Sequence, residues 1–349
     1  MRPVPQRLPA PGPVRTAVLG ALTALLLAVP LAAVPAHAHA SASASGSGQD
    51  PGPAAGAARP AERSAAVALN GHWAPFDRCP VDDPAMLAAD GQDTVATCVS
   101  SRSPSGSIEL GNTTAVTGAN DLQFGVVQTT ATGVFTVVPP KNGALIGESA
   151  EIPGGLLGLM CPGDIPVVTD ICRLLTDNSL NRVTATVESA GAPTGFSLTA
   201  GLTTGKPIVT LPVRIRLQNP FLGSQCYIGS SADPVVLRPS NTTAPAFAVQ
   251  RFDGDGTPNA DDGAMLRFAL TGNSQGDSSF AVPRARGCGL LGILNGAIDL
   301  KTGLPSPSGN NSLTLNGAMT HSAGLTAPGT VRPDNGKYLS RYWHSAVLP

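Results

Sequence analysis

Acidic residues and glycines alternate at the start of Asp253–Asp262, which makes this segment the most ion-site-like part of the sequence. Calcium takes six to eight oxygen ligands, and acids spaced along a glycine-rich loop can curl around one ion. Two features argue against a complete site: Pro258 interrupts the spacing, and Ala264 stands where an EF-hand loop has its glutamate. We therefore favour a solvated acidic turn, with a calcium site as the alternative. The side chains that could supply calcium ligands are Asp253, Asp255, Asn259 and Asp261.

Ser274 is the centre of a G-x-S-x-G pattern over Gly272–Gly276, the spacing of a nucleophile elbow in serine hydrolases. Asp277, Asp299 and His321 follow it in the order that such a catalytic triad would need. An elbow requires a helix directly after the serine, whereas residues 276–283 resemble a loop followed by a strand. We therefore predict a hairpin loop and assign no catalytic residue. A secreted hydrolase that uses serine or carboxylates stays the alternative function.

Other groups able to do acid–base chemistry are few. The histidines beyond residue 40 are His72, His321 and His344. None has a nearby acid at catalytic spacing, so we predict surface or capping roles for them. The glutamates there are Glu62, Glu109, Glu148, Glu151 and Glu188. This is a thin supply for the paired carboxylates of a glycoside hydrolase.

Aromatic side chains cluster near residue 340, where Tyr338, Tyr342 and Trp343 accompany Arg341. Exposed rings of this kind could stack on cell-wall polysaccharide or contact another envelope protein. A terminal strand that closes the core explains them equally simply, so both interpretations stay open.

Six cysteines are spread along the chain. An even number outside the cell indicates disulfides, although six cysteines allow fifteen connectivities. We predict that sequence neighbours pair: Cys79–Cys98, Cys161–Cys172 and Cys226–Cys288. A zinc site would need close C-x-x-C pairs or histidine partners, and the sequence has neither.

The first 40 residues have the order of a secretory signal peptide. Arg2, Arg7 and Arg15 precede an apolar run that begins at Ala17, and small residues with Ala-x-Ala spacing follow at 36–40. The uninterrupted apolar stretch before Pro30 has about 13 residues, fewer than the roughly 20 that span a bilayer. We expect cleavage after residue 38 or 40 and a secreted, extracellular mature chain without a membrane span.

Charge gives no support for a nucleic-acid partner. The chain has 22 basic and 23 acidic residues, so loss of the three leader arginines leaves a net charge of about −4. A weakly acidic surface has no electrostatic reason to bind nucleic acid or anionic membranes. Abundant alanine, glycine and proline suggest a GC-rich genome.

The rest of the chain divides into a linker and a β-rich part. Residues 41–66 are rich in Ala, Gly, Ser and Pro, and they hold too little apolar surface to offset the entropy of ordering. Residues 67–349 contain short period-2 segments separated by glycine and proline, which predicts a mainly β fold of antiparallel sandwich or barrel-like sheets. We expect one such domain or two fused β units, disulfide-stapled, with one or two short helices.

The clearest strand is Ile208–Gln218, where aliphatic residues alternate with polar ones over the whole segment. Pro212 cannot donate to a ladder, so this strand is expected at an edge or with a bulge. Shorter strands are predicted at 107–110, 122–127, 133–138, 183–188, 196–199, 265–270 and 313–316. Helical turns are predicted at Leu290–Leu300 and Ile171–Leu175.

Two segments carry a family resemblance. Residues 211–230 contain LPVRIRL, NPFLG and CYIGS, and residues 304–312 read LPSPSGNNS. Together they resemble a group of uncharacterised secreted proteins of actinobacteria, over about residues 183–315. The resemblance implies no activity. The sequence thus predicts a secreted or envelope-associated protein with a non-catalytic binding or structural role. Calcium is the cofactor that the sequence leaves open.

Overall fold

Antiparallel strands form the body of the protein, whose computed structural model describes residues 67–156, 180–326 and 332–349. In chain order the strands are β1 (Thr94–Ser103), β2 (Ser105–Leu110), β3 (Thr113–Thr117), β4 (Asn120–Thr129), β5 (Phe135–Val138), β6 (Leu145–Gly147), β7 (Ala150–Glu151), β8 (Thr184–Ser189), β9 (Leu211–Gln218), β10 (Tyr227–Ile228), β11 (Val235–Leu237), β12 (Ser240–Asn241), β13 (Ala246–Phe252), β14 (Met265–Asp277), β15 (Ala285–Arg286) and β16 (Ser312–Thr326).

Helices are short and more numerous than the one or two expected. The α-helices of the described ranges are α1 (Pro84–Leu87), α2 (Leu198–Gly201), α3 (Asn295–Thr302) and α4 (Asn335–Ser345). Single 3₁₀ helices span Gly71–Phe76 and Leu290–Gly292. No helix within these ranges has both the length and the apolar character needed to cross a bilayer.

One hydrogen-bonded sheet contains all sixteen strands. Its main order is β12-β14-β16-β1-β4-β6-β8-β9-β10-β15. Six strands branch from this path: β13 pairs with β14, β2 with β16, β3 with β2, β5 with β4, β7 with β8 and β11 with β9. Every ladder is antiparallel, and the described sheet is not closed into a ring. The predicted mainly β, antiparallel fold is therefore confirmed.

Strand β9 follows the predicted alternation, because Leu211, Val213, Ile215 and Leu217 are buried while the residues between them are partly exposed. Its predicted position at an edge is wrong, since β9 lies between β8 on one side and β10 and β11 on the other. The carbonyl of Pro212 accepts from Ala190 N just past the end of β8. The nitrogen of Pro212 faces the same side as its carbonyl, and on that side the β8 ladder has already ended, so no N–H is needed there. A proline is tolerated there without a bulge.

Two hydrophobic cores lie on opposite faces of the central strands. The larger core packs side chains of β1 and β4, such as Val99 and Phe124, against those of β9. The second core lies between the other face of β1, β14 and β16 and a layer made by the first 3₁₀ helix, α1 and α4. Trp73, Phe76 and Leu339 in that layer are fully buried.

The end of the chain forms helix α4 and not the terminal strand considered above. Leu339 and Trp343 are one helical turn apart and both face the second core. The Trp343 indole N–H donates to Phe76 O at 2.8 Å. Tyr338 and Tyr342, also one turn apart, are in contact on a half-buried face, with ring centroids 4.1 Å apart and ring planes tilted by 58°. The residues at 338–343 therefore attach the helix to the body of the protein.

Two other local predictions are corrected. Residues 196–199 do not form a strand: the Ser197 side chain accepts from Ala200 N and begins helix α2. The helix expected over Leu290–Leu300 is divided into a 3₁₀ turn and α3, because Leu291 has a φ of 55°. The turn predicted at Ile171–Leu175 lies outside the described residues.

Two of the three predicted disulfides are present. Cys79 and Cys98 join with their Cα atoms 5.8 Å apart, and Cys226 and Cys288 join at 4.2 Å. Cys161 and Cys172 lie outside the described residues. The first bond attaches the loop before α1 to β1. The second attaches the turn after β9 to the segment that leads into α3.

Candidate functional site

The acidic loop Asp253–Asp262 lies between β13 and β14, and several of its polar groups have protein partners. The Asp253 carboxylate accepts from the Asn259 side-chain amide at 3.0 Å, and the Asn259 oxygen accepts from Asp262 N at 3.0 Å. Asp255 accepts from Thr257 N at 2.9 Å. Three backbone carbonyls of the loop accept from the 3₁₀ layer, through Asn70, Trp73 and His72.

These contacts give the loop a structural role. The Cβ of any residue replacing Gly71 would lie 2.0 Å from Gly256 O, so the loop and the 3₁₀ helix touch backbone to backbone. Among the described residues, no group of three or more His, Cys, Asp or Glu side chains is placed to hold a metal ion. Asp253, Asp255, Asn259 and Asp261 are thus brought into one loop, but the Asn259 oxygen is used within that loop.

We expect calcium to have little effect on stability. A ligand a hundredfold above its dissociation constant stabilises the native state by about 2.7 kcal/mol, but calcium would have to replace the hydrogen bonds of Asn259 and Asp255. Calorimetric melting temperatures in millimolar calcium and in chelator should therefore differ by no more than about one or two degrees. A rise of several degrees that disappears in Asp255→Ala would contradict this expectation.

Ser274 lies in a strand, so the predicted hairpin loop is wrong. Strand β14 runs through the whole G-x-S-x-G pattern, with register shifts between Thr271 and Asn273 and between Asn273 and Gln275. Ser274 N donates to Thr243 Oγ1 at 2.8 Å. The bulges explain why this segment resembles a loop in sequence, because they allow glycine-rich, polar residues to remain inside a ladder.

The acids and the histidine of the suggested triad are also far apart. His321 pairs with Ala269, five residues before Ser274, which is roughly 15 Å along a strand. Asp277 accepts from Arg238 N and Ser279, and Asp299 accepts from Ala285 N. A nucleophile and its base must lie about 3 Å apart, so these residues do not form a serine-hydrolase site.

Asn273 has a different role, which is to position helix α2. Its amide donates to Asn241 Oδ1 at 2.6 Å, and the Asn241 amide donates to Gly201 O at 2.7 Å and to Thr203 O at 3.0 Å. Asn241 and Asn273 are each 1 % exposed. Two carbonyls at the end of α2 are therefore attached to β12 and β14 by a buried amide pair.

Helix α2, held in this way, covers one side of an apolar groove on the sheet. The groove has a volume of about 190 Å³. Its floor includes Val99 and Ser322, which are opposite each other in register on β1 and β16. Its walls are formed by Phe196, Leu202, Ile208, Phe247, Phe268 and Leu270.

The apolar groove is buried at its base and open at its rim. Ile208 and Leu270 are 7 % and 6 % exposed, whereas Phe247 and Leu202 at the rim are 53 % and 45 % exposed. Phe247 stacks on Phe268 with the ring planes 13° apart. The aromatic wall is continuous with the larger core, because Phe196 packs edge-on against Phe124 and Phe135.

Size limits what this groove can accept. A cavity of about 150 Å³ lined by aliphatic and aromatic side chains binds benzene, so the groove suits one or two fused rings or a short acyl chain. An interior cavity of about 40 Å³ between β2 and β9 is too small for more than a water molecule or two.

Charged groups gather on the opposite face of the same strands. Arg102 donates to Asp77 at 2.8 Å and to Asp121 at 3.2 Å, and the buried Gln123 donates to both acids. Ser100, on the same face as Arg102, is fully buried. These bonds attach β1 and β4 to the loop before α1, so the network has a structural role.

His321 lies on that face, paired with Ser100, and is half-buried. Burial first, and then the charges of Arg267, Arg102 and His72, lower its pKa to about 4. Its buried Nδ1 atom has no hydrogen-bond partner among the residues that the structure describes. The ring is therefore neutral at physiological pH and is not a surface or capping group as predicted. His344 does fit the prediction, since it lies on the surface 3.0 Å from Asp82.

The groove residues were not predicted from the sequence, because they come from six separated segments. One local signal existed: Phe247 and Val249 alternate with alanines, which is a period-2 pattern. No family model, curated protein or solved structure matches this chain. The resemblance of residues 211–230 and 304–312 to secreted actinobacterial proteins therefore stays a prediction.

Proposed function

We propose that this chain is a secreted, non-catalytic binding protein that takes an apolar group of its ligand into the groove beside α2. The observation that carries the proposal is the groove's combination of a buried apolar base and an exposed aromatic rim. On soluble proteins, an apolar pocket with exposed aromatic side chains at its rim commonly marks a binding site. The ligand class is a small ring system or a short acyl chain, either free or attached to a larger envelope component.

Export is supported by two independent features. The order of basic, apolar and Ala-x-Ala segments in residues 1–40 is that of a signal peptide. Disulfides such as Cys79–Cys98 persist in oxidising compartments and are rare in the cytosol. Actinobacterial origin and an envelope role rest on the resemblance and on composition, and they belong to this proposal.

The contacts made by the glutamate side chains favour a non-catalytic role over hydrolysis by paired carboxylates. Each glutamate of the described ranges lies beside its own partner: Glu109 near Ser312, Glu148 at Ala119 N, Glu151 near Arg182, and Glu188 near Arg214 and Arg216. The tyrosines of α4 are covered in part by guanidinium groups, with Arg332 4.7 Å and Arg341 5.0 Å from the Tyr338 ring. Polysaccharide contact through these rings would have to displace them.

We expect the groove to bind an apolar probe reversibly. Burying a ring system of about 150–250 Å² contributes roughly 4–6 kcal/mol before the costs of association. The probe 1-anilinonaphthalene-8-sulfonate should therefore bind with a dissociation constant between micromolar and millimolar, measured by fluorescence titration. Protein recovered from the medium, with an N-terminus at His39 or Ser41, would test export in the same preparation.

Ser322→Leu is the variant that tests the site, because it adds aliphatic volume between Val99 and Phe268. We expect it to weaken probe binding at least tenfold while the melting temperature changes little. The matched control is Val116→Ser, which removes apolar surface from a side chain 69 % exposed on β3. Unchanged binding in Ser322→Leu, or an equal loss in Val116→Ser, would show that the groove is not the site. Leu202→Ser at the rim gives a second measurement if Ser322→Leu unfolds.

A further inference from the structure

Strand β13 is an edge strand whose outward backbone groups can be identified. Asn259 N donates to Arg251 O at 3.1 Å, from the side away from β14. The N–H and C=O of one strand residue point to the same side, and the side alternates along the strand. The backbone groups of Phe247 and Val249 therefore also point away from β14. In the described part of the chain, β14 is the strand that pairs with β13, so nothing there pairs with these outward groups.

Between Ala246 and Val249 the described edge carries none of the usual protection against pairing. Edge strands are commonly blunted by lysine, proline, a bulge or an inward charge. The ladder between β13 and β14 is continuous from Ala246 to Phe252, and residues 246–249 are all apolar and exposed. Phe247 and Val249 are 53 % and 50 % exposed, with both side chains on the groove face.

Pro245 and Asn259 mark the two ends of the open edge. Pro245 has no N–H to donate, and Asn259 already lies beside Arg251, whose carbonyl accepts from Asn259 N. The open edge is therefore residues 246–250, with Ala248 at its centre. A twofold axis at Ala248 pairs residues 246–250 of two copies and places the outward-facing residues of one copy opposite those of the other. The partner strand leaves the edge before its Pro245, where Asn259 begins.

We propose that β13 is a homodimer interface, in which a second copy of the chain adds its own β13 antiparallel across this edge. Phe247 lies opposite the partner's Val249, and each such pair exchanges both backbone hydrogen bonds. Their side chains form an aromatic and β-branched cross-strand pair, of the kind that stabilises sheets. The interface is isologous and closes with two copies. It does not depend on the groove's ligand.

Light scattering or sedimentation of the full chain with its disulfides intact tests this interface. We expect a dimer that dissociates on dilution. Lysines at both positions, Phe247→Lys with Val249→Lys, place like charges opposite each other and should raise the dimer dissociation constant at least tenfold. Phe247→Glu with Val249→Lys places opposite charges across both pairs and should restore the dimer. Val116→Lys, on the exposed β3 edge, is the matched control and should leave it unchanged.

Hydrogen exchange supplies a measurement that needs no variant. The amides of Phe247 and Val249 should exchange slowly at high protein concentration and fast after dilution, while those of Ala248 and Gln250 stay protected by β14. A monomer at every concentration would overturn the proposal. So would a dimer that is insensitive to the lysines or that is lost in Val116→Lys. The single variant Val249→Lys separates the dimer from the groove, because Val249 lies outside the groove walls whereas Phe247 forms one of them. It should weaken the dimer and leave probe binding unchanged.

Discussion

Loss of the Cys226–Cys288 disulfide should destabilise the protein by about 4 kcal/mol, because this bond spans 62 residues and chain entropy scales with loop length. Both sulfurs are fully buried, and the bond joins the turn after β9 to the strand pair β10–β15. Domains are typically stable by about 5–15 kcal/mol, so this is a large share of the total. The double variant Cys226→Ala, Cys288→Ala should melt about 10 °C lower in calorimetry.

The Cys79–Cys98 bond is the matched comparison. It spans 19 residues, for which the same relation gives about 3 kcal/mol. The double variant Cys79→Ala, Cys98→Ala should therefore have a higher melting temperature than the double variant Cys226→Ala, Cys288→Ala. A reversed order would mean that local packing around β1 outweighs loop length. Equal losses would mean that the buried sulfurs stabilise by contact and not by restricting the unfolded chain.

Acid should destabilise the protein between pH 6.5 and about pH 4, because the native state keeps His321 neutral in that interval. The pKa of His321 is lowered from 6.5 to about 4, by burial and by Arg267, Arg102 and His72. As pH falls through 6.5 the unfolded chain binds a proton that the native chain refuses until about pH 4. Stability is thus complete above pH 6.5 and is lost as pH falls from there to 4.

The expected size follows from the conversion of about 1.36 kcal/mol per pH unit, which gives at most about 3 kcal/mol. Since the ring is only half-buried, solvent screening reduces this to about 1–2 kcal/mol, or a few degrees in melting temperature between pH 6.5 and 4.5. His321→Gln should flatten the dependence in that interval. His72→Gln should flatten it less, although burial also lowers the pKa of His72. If His321→Gln leaves the dependence of melting temperature on pH unchanged, another titratable group causes the acid sensitivity.

The alternation of β9 was visible in the sequence, whereas β1 gave no such signal. β9 has partly exposed residues between its buried ones, so its alternation is visible in the sequence. β1 was missed because it lies between β16 and β4 with a core on each face, and residues 96–100 are buried without interruption. A doubly covered strand has no polar face to mark its period. Helix α4 was missed because tyrosine and tryptophan are common in strands.

The candidate groove could not be predicted for a different reason. Its walls come from α2, β13, β14 and the segment before β9, and only the completed sheet brings them together. Two residues from the chemically interesting segments make structural contacts: Asn273 positions α2, and Asp253 accepts from Asn259 within the turn beside Gly71. Polar patterns with glycine are as useful for holding bulges and turns as for holding substrates.

The second core joins the two ends of the described chain, since Leu69 bridges to Val347 and Trp73 and Phe76 pack beside Trp343. Polypeptides are made from the N-terminus, so the aromatic side chains at 73 and 76 must wait for nearly the whole chain to be synthesised before they are covered. Until then they are exposed apolar surface, to which a chaperone or another unfolded chain can bind. Burial of these side chains is therefore a late step in folding. Such an order suits the proposed export of an unfolded chain.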